Sequence, residues 1–116
     1  MNIQIFGTKK SQDARKAERW FKERRVKFQS IDLMDKGISR GELRNAASAC
    51  GGLDALIDPD CRDKDALALV TYLGASQKED AVLDNPQILR QPIVRNGKKA
   101  AVGYCPEVYE GWMKEE

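Results

Sequence analysis

A strand, a helix and a second strand follow one another within the first 33 residues, and this order constrains the fold most. Ile3–Phe6 is short and apolar, and the turn after Gly7 leads to a helix predicted over Ser11–Arg25. Val26–Leu33 then has the alternation of a second strand. A strand-helix-strand unit of this length places its two strands parallel in one sheet. Ser11 is therefore expected at the start of the helix, where backbone N–H groups and the positive end of the helix dipole lie.

A helical block is predicted between this unit and the last strands. Ser39-Arg40-Gly41-Glu42 has the pattern of a capping box, and Ser76 to Glu79 repeats that pattern at a second predicted helix start. A further helix, closed by Gly74, is predicted from apolar residues at helical spacing: Ala66, Leu69, Val70 and Leu73. The block covers about residues 39–90.

The C-terminal part returns to sheet. Pro92–Arg95 and Lys98–Tyr104 flank Asn96-Gly97, and Asn-Gly suits the type I′ turn of a β-hairpin. A last helix is predicted from Cys105-Pro106, with three residues facing inward: Val108, Tyr109 and Trp112. The chain is thus predicted to form one α/β domain over residues 1–116, with a mixed four-stranded sheet. Its helical insertion lies between the strand-helix-strand unit and the hairpin-helix unit.

The residue inventory argues against several kinds of chemistry. The chain has no histidine, so it lacks the commonest general base and the commonest zinc ligand, and no metal site is expected. Three cysteines without paired spacing argue against a disulfide framework. No apolar run approaches the roughly 20 residues of a membrane span, and no signal peptide is visible. We therefore expect a cytoplasmic protein that makes no membrane contact.

Positive charge is concentrated in one segment. Residues 9–27 hold nine Lys or Arg side chains against three acids, whereas the whole chain carries a net charge of only +2. One interpretation is a solvated helix face, since several of these residues lie four apart. The other is a surface that attracts anions beside a helix N-terminus. Direct nucleic-acid binding is not expected, because no aromatic stacking platform accompanies the charge.

Several short motifs occur in a characteristic order along the chain. They are Ile3–Gly7, Arg15–Phe21, Ser39–Leu43, Asn85-Pro86 with Pro92–Val94, and Val102–Tyr104. Together they resemble the arsenate reductase (ArsC)/Spx-like family of the thioredoxin superfamily. The resemblance implies a thioredoxin-like fold. It also implies a cis peptide bond at Gln91-Pro92, where proline begins a strand beside the active-site loop.

The active-site positions differ from the family pattern. Family members carry a nucleophilic cysteine before the first helix, often as Cys-x-x-Cys, and the matching positions here are Ser11 and Ala14. An unassisted serine hydroxyl is far less nucleophilic than a cysteine thiolate. The arginine that holds the anion in arsenate reductases matches Gln91, with Arg90 one residue earlier. The basic position in the family's helical block falls near Asp58–Arg62, a segment that holds two acids and one arginine.

The resemblance leaves different roles for the serine and the cysteines. Ser11 is expected to act as an N-cap rather than as a catalyst. Cys105, at the start of the last helix, and Cys61, at a predicted helix start, are the alternative reactive thiols. The structural interpretation of Cys105 is a buried residue at the helix entry. Cys50 is expected to be a small core residue.

Two functional hypotheses follow from the resemblance. In the first, a degenerate active site has lost thiol-redox catalysis, and a monomeric protein without a required cofactor acts as a binding or regulatory module. Its partner would be a protein, as RNA polymerase is for the Spx branch, or a small anion such as a glutathione carboxylate. In the second, the protein is an enzyme: a reductase or transferase that uses the thiol of glutathione, or a reductase that uses Cys105 or Cys61. The predicted anion or ligand site comprises Lys9, Lys10, Ser11, Arg90, Gln91 and Pro92.

Overall fold

The computed structural model describes residues 1–115 and contains a mixed four-stranded sheet with helices on both faces. The strands are β1 (Ile3–Gly7), β2 (Phe28–Asp32), β3 (Ile93–Asn96) and β4 (Lys99–Val102). They lie in the order β2-β1-β3-β4. Strand β1 is parallel to β2 and antiparallel to β3, and β3 is antiparallel to β4. The predicted α/β class and strand arrangement are therefore confirmed.

Within residues 1–115, five α-helices cover the sheet. They are α1 (Gln12–Glu23), α2 (Arg40–Cys50), α3 (Lys64–Tyr72), α4 (Ala75–Asp84) and α5 (Pro106–Lys114). Short 3₁₀ turns lie at Leu53–Leu56 and Pro86–Ile88. Helices α1 and α5 pack on one face of the sheet, while α2, α3 and α4 form the predicted insertion on the other face.

The alternation of side chains along β1 separates two hydrophobic cores. Ile3 and Ile5 face α1 and α5, where they join a buried cluster that includes Ala17, Phe21, Val94, Tyr109 and Trp112. Phe6 faces the opposite way and joins a cluster that includes Leu43, Leu56, Val70, Val82 and Ile93. Side chains on both faces of the central strand β1 are thus buried, which explains why its sequence is largely apolar.

Several local predictions are confirmed. Ser39 Oγ accepts a hydrogen bond from Glu42 N at 3.2 Å, and Glu42 Oε1 accepts one from Ser39 N at 3.0 Å, so the capping box forms. The predicted β-hairpin forms, but its turn is not the predicted type I′: Asn96 pairs with Lys99, and Gly97 alone in the turn has a positive φ, of 61°. The Gln91-Pro92 peptide bond is cis.

The second predicted capping box is wrong. Helix α4 begins at Ala75 with Gly74 as its N-cap, and no side chain caps it. Ser76 therefore lies inside the first turn. Glu79 binds a different helix instead, because its carboxylate accepts from Arg44 Nε of α2 at 2.9 Å and also pairs with Arg40.

At three positions the structure differs from the predicted buried side or the predicted end of a helix. Leu69 is 53% exposed and Val108 is 37% exposed, because their neighbours Val70 and Tyr109 take the buried side of the helix. The first helix ends at Glu23, before the predicted Arg25. Arg25 has a left-handed φ of 59°, which turns the chain toward β2.

Helix α1 approaches the sheet closely at Gly7, the last residue of β1. A Cβ atom placed on Gly7 would lie 2.7 Å from Cβ of Ala14 in the first turn of α1. Real Cβ atoms do not approach so closely, and Ala14 has no flexible side chain that could move away. Glycine at residue 7 and alanine at residue 14 therefore let the start of α1 lie directly against the end of β1.

We predict that Gly7→Ala lowers the free energy of unfolding by about 1–3 kcal/mol, because the added methyl group overpacks this contact. Urea denaturation followed by circular dichroism measures the change. Gly111→Ala is the matched control, since nothing lies within 4 Å of its added Cβ and alanine favours the helix interior. The control should gain about 0.5–1 kcal/mol. Equal stability of Gly7→Ala and wild type would contradict the close contact.

Candidate functional site

The loop Thr8–Lys10 joins β1 to α1, and Ser11 follows it as the N-cap of the helix. Ser11 Oγ accepts a hydrogen bond from Ala14 N at 3.1 Å. Its backbone N–H donates to Thr8 O at 3.1 Å, which closes the loop into a turn. The predicted capping role of Ser11 is therefore confirmed. The hydroxyl oxygen is already used to stabilise the first helical turn.

Gln91 contacts the same loop from the other half of the chain. Its Oε1 accepts from Thr8 N at 2.8 Å and from Thr8 Oγ1 at 2.9 Å. The neighbouring Pro92 is buried, and its carbonyl accepts from Gly103 N at 2.8 Å. The single amide oxygen of Gln91 thus accepts hydrogen bonds from two donors in the loop that precedes Ser11. Sequence analysis placed Gln91 near this site but did not predict its bond to Thr8.

The predicted basic residues lie in different surroundings. Lys9 and Lys10 are exposed on the loop, and the guanidinium of Arg15 donates to Lys9 O. Asp13 lies in the first turn of α1, 3.7 Å from Lys16 Nζ. The backbone N–H of Arg90 donates to Leu56 O at 2.7 Å, which fixes this residue to the helical insertion, and its side chain is exposed. Lys9 and Ser11 thus belong to the segment that Gln91 contacts through Thr8. The backbone N–H of Arg90 is instead bound to the helical insertion.

A cavity of about 350 Å³ opens beside the loop on the α1 face of the sheet. Its polar lining comes from Thr8, Lys9, Arg15, Glu18, Ser30 and Asp32. Glu18 Oε1 accepts from Ser30 Oγ at 2.6 Å, so α1 and β2 are joined across the cavity. Sequence analysis missed this cavity. The polar residues Ser30 and Asp32, which lie two apart in a strand beside a charged helix, were the available signal.

Cys105 occupies its predicted place at the start of α5, where it is the N-cap residue. Its Sγ donates to Val102 O at 3.4 Å, and its side chain makes no cap hydrogen bond. Burial raises the pKa of the Cys105 thiol, and the nearby carboxylate of Glu107 raises that pKa further. These surroundings favour the neutral thiol over the thiolate that acts as a nucleophile.

Cys61 does not lie at a helix start. Helix α3 begins at Lys64, and its N-cap is Asp63, whose carboxylate accepts from Ala66 N at 3.1 Å. Cys61 precedes this cap by two residues, is buried, and donates through Sγ to Gln87 O at 3.4 Å. The prediction that Cys61 lies at a helix start is therefore wrong.

Cys50 lies at the end of α2 and packs against the core as a partly buried residue. Burial raises the pKa of its thiol. The three cysteines are free.

Residues 1–115 contain neither a cluster of metal-binding side chains nor a helix that could span a membrane. No three His, Cys, Asp or Glu side chains in that range are grouped so that they could hold a metal ion. None of the helices in the described part of the chain has the length and apolar character needed to cross a membrane.

Comparison with known proteins assigns the chain to a family. The chain is 27% identical over 113 residues to the global transcriptional regulator Spx 2 of Lactococcus lactis, covering 96% of this chain and 86% of that protein. The global transcriptional regulator Spx of Streptococcus pyogenes serotype M1 is also 27% identical, covering 98% of this chain and 87% of that protein.

Solved structures show the same fold. An arsenate reductase from Vibrio cholerae matches with a TM-score of 0.81 at 20% identity, covering 96% of this chain and 97% of that one. An arsenate reductase (ArsC) related protein from Brucella melitensis matches with a TM-score of 0.64 at 19% identity, covering 98% and 96%. The sequence profile of the ArsC family matches residues 6–112, and this chain therefore belongs to the ArsC family.

Proposed function

We propose that this member of the ArsC family binds a protein partner as a regulatory module and has lost thiol-redox catalysis. The observation that carries the proposal is Ser11 at the start of α1. A cysteine there would be activated by the helix N-terminus. The serine hydroxyl instead accepts from Ala14 N and stabilises the helix. No histidine exists in the chain to deprotonate this hydroxyl.

The hydrogen bonds around the loop support the same conclusion. Thr8 N and Thr8 Oγ1 both donate to Gln91 Oε1, and Ser11 N donates to Thr8 O. Donors that could stabilise the negative charge of an oxyanion are thereby satisfied within the protein. An incoming anion has to replace the bond to Gln91 before it can use Thr8, and this exchange weakens its binding.

The cysteines do not replace the missing nucleophile. Cys105 and Cys50 have raised thiol pKa values because both are partly buried. Cys61 is buried and donates to a carbonyl oxygen. A regulatory role is further supported by the relatives named global transcriptional regulator, which match nearly the whole chain.

One feature favours a second candidate function, a glutathione-dependent reductase or transferase. Lys9 and Arg15 border the cavity beside the Ser11 loop, so a carboxylate of glutathione could pair with them. In this alternative the cofactor supplies the reactive thiol and Ser11 donates only a hydrogen bond. The proposed anion site involves the six predicted residues Lys9, Lys10, Ser11, Arg90, Gln91 and Pro92, with Gln91 as the group that an anion has to displace from Thr8.

We predict that the purified protein reduces arsenate no faster than the buffer blank, with either glutaredoxin or thioredoxin as electron donor. The reason is the absence of a thiolate at residue 11. A coupled assay of NADPH consumption measures the rate. Turnover that disappears in Cys105→Ser or Cys61→Ser would show that one of these thiols is catalytic, and would overturn the proposal. Turnover with glutathione alone would favour the second candidate.

We also predict that phosphate binds the Ser11 loop only weakly, with a Kd in the millimolar range, corresponding to about 4 kcal/mol. Gln91→Ala should lower this Kd several-fold, because it releases Thr8 N and Thr8 Oγ1 for the anion. Titration followed by backbone amide resonances measures both values, and Gln77→Ala on α4 is the matched control. An unchanged or higher Kd in Gln91→Ala would contradict competition between Gln91 and the anion. Shifts spread along α1 rather than over residues 8–14 and 90–92 would indicate diffuse charge only.

A further inference from the structure

The cavity beside the Ser11 loop is lined by charged side chains of both signs. Lys9 and Arg15 are its cations, and Glu18 and Asp32 are its acids. None of these side chains forms an ion pair with any residue in the described range 1–115. Charged groups of opposite sign therefore border the same space without neutralising one another.

Hydrogen bonds hold the two signs on different walls of this cavity. The guanidinium of Arg15 donates to Lys9 O, which keeps the guanidinium at the loop. Glu18 Oε1 accepts from Ser30 Oγ at 2.6 Å, which holds the carboxylate against β2. Asp32 lies in β2 itself, and its Oδ1 accepts from a backbone N–H two residues later at 2.9 Å. The cations thus lie on the loop side of the cavity and the acids on its β2 side.

Both walls keep hydrogen-bonding capacity for a ligand. Glu18 and Asp32 are half-buried, and their second oxygens, Oε2 and Oδ2, accept no hydrogen bond from residues 1–115. Lys9 Nζ has no partner in that range either, and a guanidinium such as that of Arg15 has more N–H donors than its bond to Lys9 O uses. Acceptors on one wall and donors on the other are thus both available.

The cavity has the size of a site for a small ligand. Its volume of about 350 Å³ lies at the lower end of the roughly 300–1,000 Å³ that is usual for small-molecule sites. Ile5, Gly7 and Ala14 supply an uncharged part of the lining. The ligand that fits is therefore small, with a short apolar part and charges of its own.

The balance of charge determines the class of ligand. An anion would be repelled by Glu18 and Asp32, and a cation would be repelled by Lys9 and Arg15. An uncharged apolar ligand would remove water from all of these groups without pairing them, which is costly. A zwitterion pairs with both signs at once. We propose that the cavity binds the head group of an α-amino acid, with its carboxylate at Lys9 and Arg15 and its ammonium at Glu18 and Asp32.

The helix dipole favours the same orientation of the ligand. Arg15 lies in the first turn of α1, where its N–H donates to Ser11 O at 3.3 Å, and Glu18 lies about one turn farther along. The N-terminal end of a helix favours negative charge, so the carboxylate is better placed there than the ammonium. An ammonium has three N–H donors, which suit two carboxylates. The inference goes beyond the proposed function, because such a site requires neither a thiol nor a protein partner.

Three small molecules test the two charges separately. L-alanine carries both charges, propionate lacks the ammonium, and ethylammonium lacks the carboxylate. Titration of the intact protein, followed by backbone amide resonances, should give a Kd for L-alanine about tenfold lower than for either of the others. The largest shifts should lie at residues 9, 15, 18, 30 and 32. Equal affinity for L-alanine and propionate, or no shift with about 20 mM L-alanine, would overturn the proposal.

Glu18→Gln tests the wall that binds the ammonium. It should weaken L-alanine about tenfold and strengthen propionate, because a repulsive charge beside the carboxylate is removed. A variant that only disturbs the cavity would weaken both ligands. Glu23→Gln, on α1 but outside this cavity, is the matched control and should change neither affinity. Parallel loss of both ligands in a folded Glu18→Gln variant would overturn the role of Glu18 as the partner of the ammonium.

Arg15→Gln tests the opposite wall. It should weaken L-alanine and propionate several-fold and strengthen ethylammonium, because it removes a cation from the cavity. Arg19→Gln makes the same change in net charge on α1, outside this cavity, and is the matched control. Equal effects of the two substitutions would show that only the net charge of the protein matters, and would overturn the site.

Two further ligands separate the natural sources of the head group. S-methylglutathione and L-glutamine both carry the α-ammonium and α-carboxylate next to a side-chain amide. Tighter binding of S-methylglutathione by tenfold or more would identify glutathione as the source, whereas equal or weaker binding would identify a free amino acid. Both results retain the head group, and failure of both ligands to bind would overturn it. Arsenate reduction would overturn the proposed function without changing these affinities, so the two failures are distinguishable.

Discussion

The contact between Gly7 and Ala14 sets the position of the candidate site. Because neither residue has a side chain beyond Cβ, α1 starts directly beside the end of β1. Ala17 and Phe21 then continue the same buried side of the helix against the sheet. The first turn is thereby held where Ser11 can cap it and where the loop can meet Gln91. Packing between a strand and a helix thus determines the geometry, whichever residue stands at position 11.

This geometry is separable from the chemistry that a cysteine would add. A serine at the helix start still caps the helix, because its hydroxyl accepts a hydrogen bond from an otherwise unpaired N–H of the first turn. It does not provide a thiolate. Gln91 has a comparable effect in the neighbouring loop, where its neutral amide oxygen satisfies two donors without adding charge. Both residues therefore satisfy hydrogen-bond donors around the loop without adding a charged group.

The sequence predicted the fold where the signals were local. Strand-helix-strand order, the hairpin around Gly97 and the Ser39 capping box each depend on residues close together in the sequence, and each is confirmed. The predicted box at Ser76 failed because Ser-x-x-Glu also fits inside a helix. Whether Glu79 caps α4 or binds Arg44 depends on where α2 lies, and a local pattern does not contain that information.

The candidate site was less predictable for the same reason. Ser11 could be assigned as a cap from its place before an amphipathic helix, and the hydrogen bond to Ala14 confirms it. The bond between Gln91 and Thr8 joins residues 83 positions apart and depends on how β3 enters the sheet. Cys61 was misplaced by two residues, because Asp63 provides the actual cap of α3. An error of two residues was enough to predict an activating helix start for a thiol that is buried before the helix begins.

The fold decides which surfaces the basic residues of segment 9–27 occupy. Taken alone, the basic segment 9–27 is compatible with an ordinary solvated helix face. The folded chain divides these charges between two surfaces: Lys9 and Arg15 border the cavity beside β2, whereas Lys16, Arg19 and Arg24 line a separate pocket with Tyr104. Glu18 and Asp32 lie at the same cavity as Lys9 and Arg15, so acids balance the cations there. The concentration of positive charge in the sequence therefore does not become one continuous basic surface in the folded protein.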